Sequence, residues 1–152
     1  MMQPPSPEGD PFTEDFLNDL LPFVNRTYPV STKREDTAIA GFSMGGVQAL
    51  NLALFHPEMF DYVFPISTGY FPAGIAQTEQ NAADLRNVSA HPFKQLIIGH
   101  GKDDKLTAAN SAATLQMLDD FKIPHQYIEL DGIHSFVFAR RFLLVVLPLL
   151  FR

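Results

Sequence analysis

The stretch with the most chemical meaning in this chain is Gly41-Phe42-Ser43-Met44-Gly45, a serine with a glycine two residues away on each side. It follows a small, apolar, β-compatible run, "TAIA" at 37–40, and precedes residues with helical spacing. A serine at the tip of a strand–turn–helix adopts a strained backbone that lifts its hydroxyl clear of the sheet. Positions two before and two after it then have little room for a side chain. On this reading Gly41 and Gly45 are demanded by close backbone, and Gly46 relaxes the first helical turn. The helix aims its first N–H groups at the serine, which makes the Met44 amide a donor to an oxyanion. The spacing points to a nucleophilic serine rather than a plain Gly-rich turn.

A serine hydroxyl needs a base, and the base needs an acid to orient it. In a strand–helix architecture of this type the chain order is serine, acid, histidine, with each of the last two beyond a later strand. Five histidines are available. His56 and His91 each precede a proline and read as loop residues, and His125 begins a strand. His100 stands at a strand end near the site and could line a pocket, but it comes before the acid. His134, in "LDGIHSF", is in the right place for the base. The acid is Asp103 or Asp104 in "GHGKDDKL"; these neighbours point in different directions. Asp131 reads as turn chemistry in "DG", and Asp84 comes before the relevant strand.

The elements that must position these residues follow from periodicity. Four prolines precede Phe12, so residues 1–11 read as a disordered leader and 12–152 as the domain. Thr13 is placed to N-cap a helix whose Phe16, Leu17, Leu20, Leu21 and Val24 recur at helical spacing, with Pro22 expected to kink or shorten it. A strand at "TAIAGF" is followed by a helix from Gly45 to Phe55, a strand "YVFPI" at 62–66, and a long irregular insertion at 67–92 with a short helical piece at Ala82–Arg86. A strand "KQLIIG" at 94–99, an amphipathic helix Leu106–Phe121, a strand "HQYIEL" at 125–130 and a buried helix Phe136–Phe151 complete the chain. Strands alternate with helices, and two strands are apolar on both faces. This predicts an α/β fold, about four parallel strands flanked by helices.

Composition narrows the partners. Hydrophobic residues make up 46% and charged residues 18% of 152, a globular balance. The net charge of −6 and the lack of a Lys/Arg stripe argue against nucleic acid. Cysteine is absent, so disulfides and thiolate metal sites are excluded, and compartment stays open. The N-terminal "MMQPPSPEGDP" has no basic and apolar regions of a signal peptide. The C-terminal "FLLVVLPLLF" is short of the roughly 20 apolar residues needed to span a bilayer, so no membrane partner is expected.

With these residues in place the chain resembles the putative-esterase group of α/β-hydrolases, which includes feruloyl, acetylxylan and enterochelin esterases and mycolyltransferases. The likeness runs from Phe12 to Arg152 and is strongest to feruloyl esterases of xylan-degrading systems. "AIAGFSMGG" carries it first. "HGKDDKL" resembles the family's G-x-x-D acid loop and puts the acid at Asp104, and "DGIHSF" resembles its G-x-H loop and puts the base at His134. Members of the group usually carry a further N-terminal half, with several strands and a His-Gly-type loop for the second oxyanion N–H. Nothing in residues 1–36 resembles it, so the expected fold is a truncated α/β-hydrolase lacking the usual N-terminal strands.

The resemblance implies a serine carboxylesterase acting on feruloyl or acetyl esters of plant polysaccharide, with no metal or organic cofactor. Acyl transfer to another alcohol is one alternative. A half-domain of weak or no activity, completed by oligomerisation or a partner, is another. Ser67, Tyr70 and Phe71 of "STGYF", with His100, are candidate substrate contacts. "TAIAGF" is expected to lie at a sheet edge with unpaired backbone groups, where a second copy or a partner chain would join it.

Overall fold

The computed structural model describes residues 10–71, 75, 85 and 88–151. Residues 1–9 and most of the insertion, including the expected helical piece at Ala82–Arg86 apart from Leu85, lie outside the described residues.

Four parallel strands form one sheet in the order β1-β2-β3-β4: Ala38–Phe42, Tyr62–Ile66, Gln95–Gly101 and Gln126–Leu130. Among the described residues β1 lies at one edge and β4 at the other. β2 is buried along its whole length and β3 nearly so. Side-chain alternation divides the core between the two faces. Val63, Leu96 and Ile98 point to one face, where they pack with Leu50, Leu54, Met117 and Leu118. Tyr62, Phe64, Ile66 and Ile97 point to the other, against Phe138, Phe142 and Val146. The covering helices are α3 (Met44–Phe55) and α4 (Ala108–Asp120) on the first face and α5 (Phe136–Val146) on the second.

The N-terminal helix departs from expectation in two ways. Its cap is Asp10, not Thr13: the Asp10 carboxylate accepts from the Phe12 and Thr13 amides, and Pro11 takes the first helical position. The helix therefore begins inside the stretch expected to be leader. Pro22 does not end the helical run, which continues to Thr27. Proline cannot donate a backbone hydrogen bond, and α1 (Pro11–Asp15) widens into a π turn at Phe16–Leu20, where the Leu21 amide reaches the Phe16 carbonyl. The chain then continues as α2 (Leu21–Thr27).

At the C-terminus, α5 stops at Val146, and Pro148 sits in a 3₁₀ turn, Leu147–Leu149. The helix was expected to be buried, but only the stripe of Phe138, Ala139, Phe142 and Val146 is. Phe136, Val137 and Leu144 are exposed. The remaining helices and strands fall within a few residues of their predicted bounds.

Arg34, in a 3₁₀ turn just before β1, ties the lower end of the sheet together. It pairs with Asp61 and donates to the carbonyls of Pro57, His91 and Pro92, the segments that lead into β2 and β3. A guanidinium has five N–H donors in a fixed fork and can serve several acceptors at once. No described helix is long and apolar enough to cross a membrane.

Candidate active site

Three strand ends build the site. β1 runs into Ser43, which has φ 56° and ψ −119°, a conformation rare outside glycine. Backbone bonds to the end of β2 hold it there: the Ser43 amide donates to Ile66 O at 2.9 Å, and the Thr68 hydroxyl donates to Ser43 O at 2.6 Å. α3 starts at Met44. As first-turn donors, the Met44 and Gly45 amides have no acceptor within the helix.

The glycines around the serine do not divide the work as expected. A Cβ on Gly41 would stand 1.9 Å from the Gly45 carbonyl oxygen, and one on Gly46 would stand 2.5 Å from the Thr68 methyl. A Cβ on Gly45 would meet nothing within 4 Å. Gly41 and Gly46 are thus the crowded positions. Gly45 supplies the backbone that Gly41 approaches, and its own side faces open space.

His134 lies in the loop after β4. Its Nε2 is 2.9 Å from Ser43 Oγ and its Nδ1 is 2.9 Å from Asp104 Oδ2. A carboxylate only accepts, so Nδ1 carries the proton, and the bare Nε2 accepts from the serine hydroxyl. Phe42 lies under the imidazole with ring centroids 4.7 Å apart, and Phe136 packs on Phe42 at 5.0 Å. The His134 loop is pinned to the acid loop. Lys102 pairs with Asp131 at 2.8 Å, the Asp103 amide donates to Gly132 O, and Arg141 donates to Asp131 O. Asp131 and Asp103 are exposed and serve this pinning.

Asp104 is buried in the turn after β3. Its Oδ1 accepts from the Leu106 and Thr107 amides, and its Oδ2 from the Thr107 hydroxyl at 2.9 Å and from His134. Burial alone would raise its carboxyl pKa. Hydrogen bonds from His134 and Thr107 and the nearby Ser67 hydroxyl more than offset this, holding the carboxyl below its ordinary range.

The candidate substrate contacts separate. Phe71 lines a cleft of about 260 Å³ with Ser43, Met44, Val47, Thr68, Gly69, Leu106, Thr107 and Asn110. Tyr70 does not. It is a core residue whose amide donates to Thr114 Oγ1 at 2.7 Å and whose hydroxyl donates to Asn51 at 2.9 Å. Burial pushes its phenol far above the ordinary range. Ser67 is also fully buried: it has φ 47°, and its hydroxyl sits beside Asp104 without a well-aligned partner. His100 is buried behind the acid loop, with Nε2 3.2 Å from Thr107 Oγ1. All three therefore lie outside the cleft wall. The sequence reading missed Thr68, Asn110, Leu106, Val47 and Thr107. Thr107 had a weak local signal, since an Asp in a turn bonds backbone amides a little further along the chain, here those of Leu106 and Thr107. Among the described residues no group of three or more His, Cys, Asp or Glu is arranged to hold a metal ion.

A parallel sheet covered on both faces, with a serine on a strained strand-to-helix turn and its histidine and acid beyond later strands, is the architecture of the α/β-hydrolases. The sequence model of the Putative esterase family matches residues 2–141, and the chain belongs to that family. It is 33% identical over 97 residues to an acetyl esterase of Caldicellulosiruptor saccharolyticus, an alignment covering 60% of this chain and 36% of that protein. It superposes on a ferulic acid esterase with 25% identity and a TM-score of 0.72, covering 91% of this chain and 60% of that one. On the S-formylglutathione hydrolase FrmB of Staphylococcus aureus it superposes with 21% identity and a TM-score of 0.73, again covering 91% and 60%. The chain thus spans about a third of the curated relative and about three-fifths of these solved structures.

Proposed function

We propose that this chain hydrolyses carboxylic esters, with feruloyl or acetyl esters of plant polysaccharide as substrates. The observation that carries the reading is the unbroken hydrogen-bonded line from Ser43 Oγ through His134 to the buried Asp104, opening on an apolar cleft. In this scheme Ser43 Oγ attacks the ester carbonyl carbon as its proton passes to His134 Nε2. The Met44 amide receives the oxyanion, and Asp104 holds the imidazolium. Collapse expels the alcohol, which takes the proton from His134 Nε2. Water then attacks the acyl-serine by the same route, giving the free acid and restoring Ser43. No step calls for a metal or organic cofactor.

The acyl group is chosen on two grounds. Phe71, Met44 and Leu106 give the cleft an apolar wall suited to a flat ring or a methyl group, and relatives include an acetyl esterase and a ferulic acid esterase. The test is turnover of methyl ferulate, 4-nitrophenyl acetate and acetylated xylan oligosaccharides, with Ser43→Ala as control. Release of ferulate or acetate that disappears in the variant supports the reading. A folded chain that turns over none of the three refutes it. Added sugar acceptors that divert the acyl group into new esters would move the assignment to acyl transfer.

A further inference from the structure

His100 closes β3 with its ring buried, and no step of the proposed hydrolysis uses it. Its Nε2 stands 3.2 Å from Thr107 Oγ1, and Thr107 Oγ1 stands 2.9 Å from Asp104 Oδ2. Counting protons fixes the direction of both bonds. An ionised carboxylate only accepts, so the single hydroxyl proton of Thr107 goes to Asp104. The Thr107 oxygen can then face His100 only as an acceptor, and His100 must carry a proton on Nε2. The direct separation from His100 Nε2 to Asp104 Oδ2, 3.9 Å, is too long for a hydrogen bond, so Thr107 is the bridge.

We propose that His100 and Thr107 are positioning residues for Asp104. In this buried branch His100 donates to Thr107, Thr107 donates to Asp104, and the carboxylate is fixed in the orientation from which it holds His134. The proposal rests on the reading of Ser43, His134 and Asp104 as the reacting set. The branch completes a saturated acid. Oδ1 takes the Leu106 and Thr107 amides, and Oδ2 takes the Thr107 hydroxyl and His134 Nδ1. A carboxylate has about four acceptor sites, so with all four filled it cannot rotate without breaking a bond. Tyr127 of β4 packs on the His100 ring with centroids 6.4 Å apart, and its hydroxyl is turned to Glu129 at 3.1 Å.

The test is nitrogen-15 NMR of the histidine side chains in the full chain, with Thr107→Val and Thr107→Ser alongside. In the unsubstituted protein at neutral pH, His100 is expected as the Nε2–H tautomer. Finding the proton on Nδ1 with Nε2 bare would overturn the proposal, because Thr107 would then donate to His100 and not to Asp104. The second readout is the downfield proton on His134 Nδ1. Thr107→Val keeps the shape of the side chain but removes the hydroxyl. It should speed exchange of that proton with water by about tenfold, the worth of one net hydrogen bond, and Thr107→Ser should restore it. Equal exchange in all three proteins would overturn the positioning role. Neither readout needs ester turnover. An inactive chain with His100 on Nε2–H keeps this proposal and rejects the esterase reading, whereas an active chain with His100 on Nδ1–H does the reverse.

Discussion

Ser43 and Ser67 occupy equivalent places at the ends of neighbouring parallel strands. Each is the first residue beyond its strand, and each has positive φ, 56° and 47°. Their backbone bonds match as well, since the Ser43 amide reaches Ile66 O and the Ser67 amide reaches Gly99 O, each on the next strand. The difference lies in what surrounds the hydroxyls. Ser43 opens on the cleft with His134 at 2.9 Å, while Ser67 is fully buried with its hydroxyl turned toward the Asp104 carboxylate and no base beside it. Positive φ at a strand end is therefore shared by a serine that faces the cleft and one that does not. A base within reach and an open face are what make one of the pair a nucleophile.

The comparison breaks most sharply by deletion. Ser43→Ala should lower kcat on an activated ester by about 10⁶-fold, as removal of a triad nucleophile does, while Ser67→Ala should stay within a few-fold of the parent. Comparable losses in both would mean that Ser43 is no more special than its neighbour. Next in size, Asp104→Asn keeps the shape but removes the charge that selects the His134 tautomer, and kcat should fall by about 10⁴-fold.

The glycines sharpen the comparison on the stability side. Gly41→Ala and Gly46→Ala each force a Cβ into occupied space, and urea unfolding should show a loss of about 1–3 kcal/mol or more. Gly45→Ala meets nothing and replaces glycine in a helix, so it should be neutral or stabilising by up to about 1 kcal/mol. The smallest effect concerns pH. The Asp104 carboxyl is held below its ordinary range in the fold. Its contribution is present above the unfolded value, about 3.9, and is lost as pH falls through the folded value. Asp104→Asn should therefore flatten the fall in unfolding free energy below about pH 4, measured by urea titration from pH 7 to pH 2.5; an unchanged slope would contradict that sign.

Much of this was legible from local pattern. Apolar runs at 62–66 and 94–99 announced strands covered on both faces, and the glycines around Ser43 announced the turn between β1 and α3. Details that depend on the third dimension were not. Gly45 looked crowded because spacing alone cannot tell which of two glycines meets Thr68 across from β2. Tyr70, Ser67 and His100 looked like cleft residues because they stand at strand ends. Whether such a side chain faces the cleft or the interior depends on where α4 and the acid loop pack, as the Thr114–Tyr70 and Thr107–His100 contacts illustrate. The π turn ahead of Pro22 was hidden for a related reason, since proline signals a lost donor but not a shift of the preceding turn to i→i+5 pairing.

The most direct test of the account is covalent labelling with a fluorophosphonate, read by peptide mass spectrometry on the folded chain. The probe reports an activated serine without needing the natural ester. The account predicts stoichiometric adduct on Ser43, none on Ser67, and loss of the Ser43 adduct in His134→Ala. A folded chain with no adduct at Ser43, or with labelling that survives His134→Ala, would contradict it.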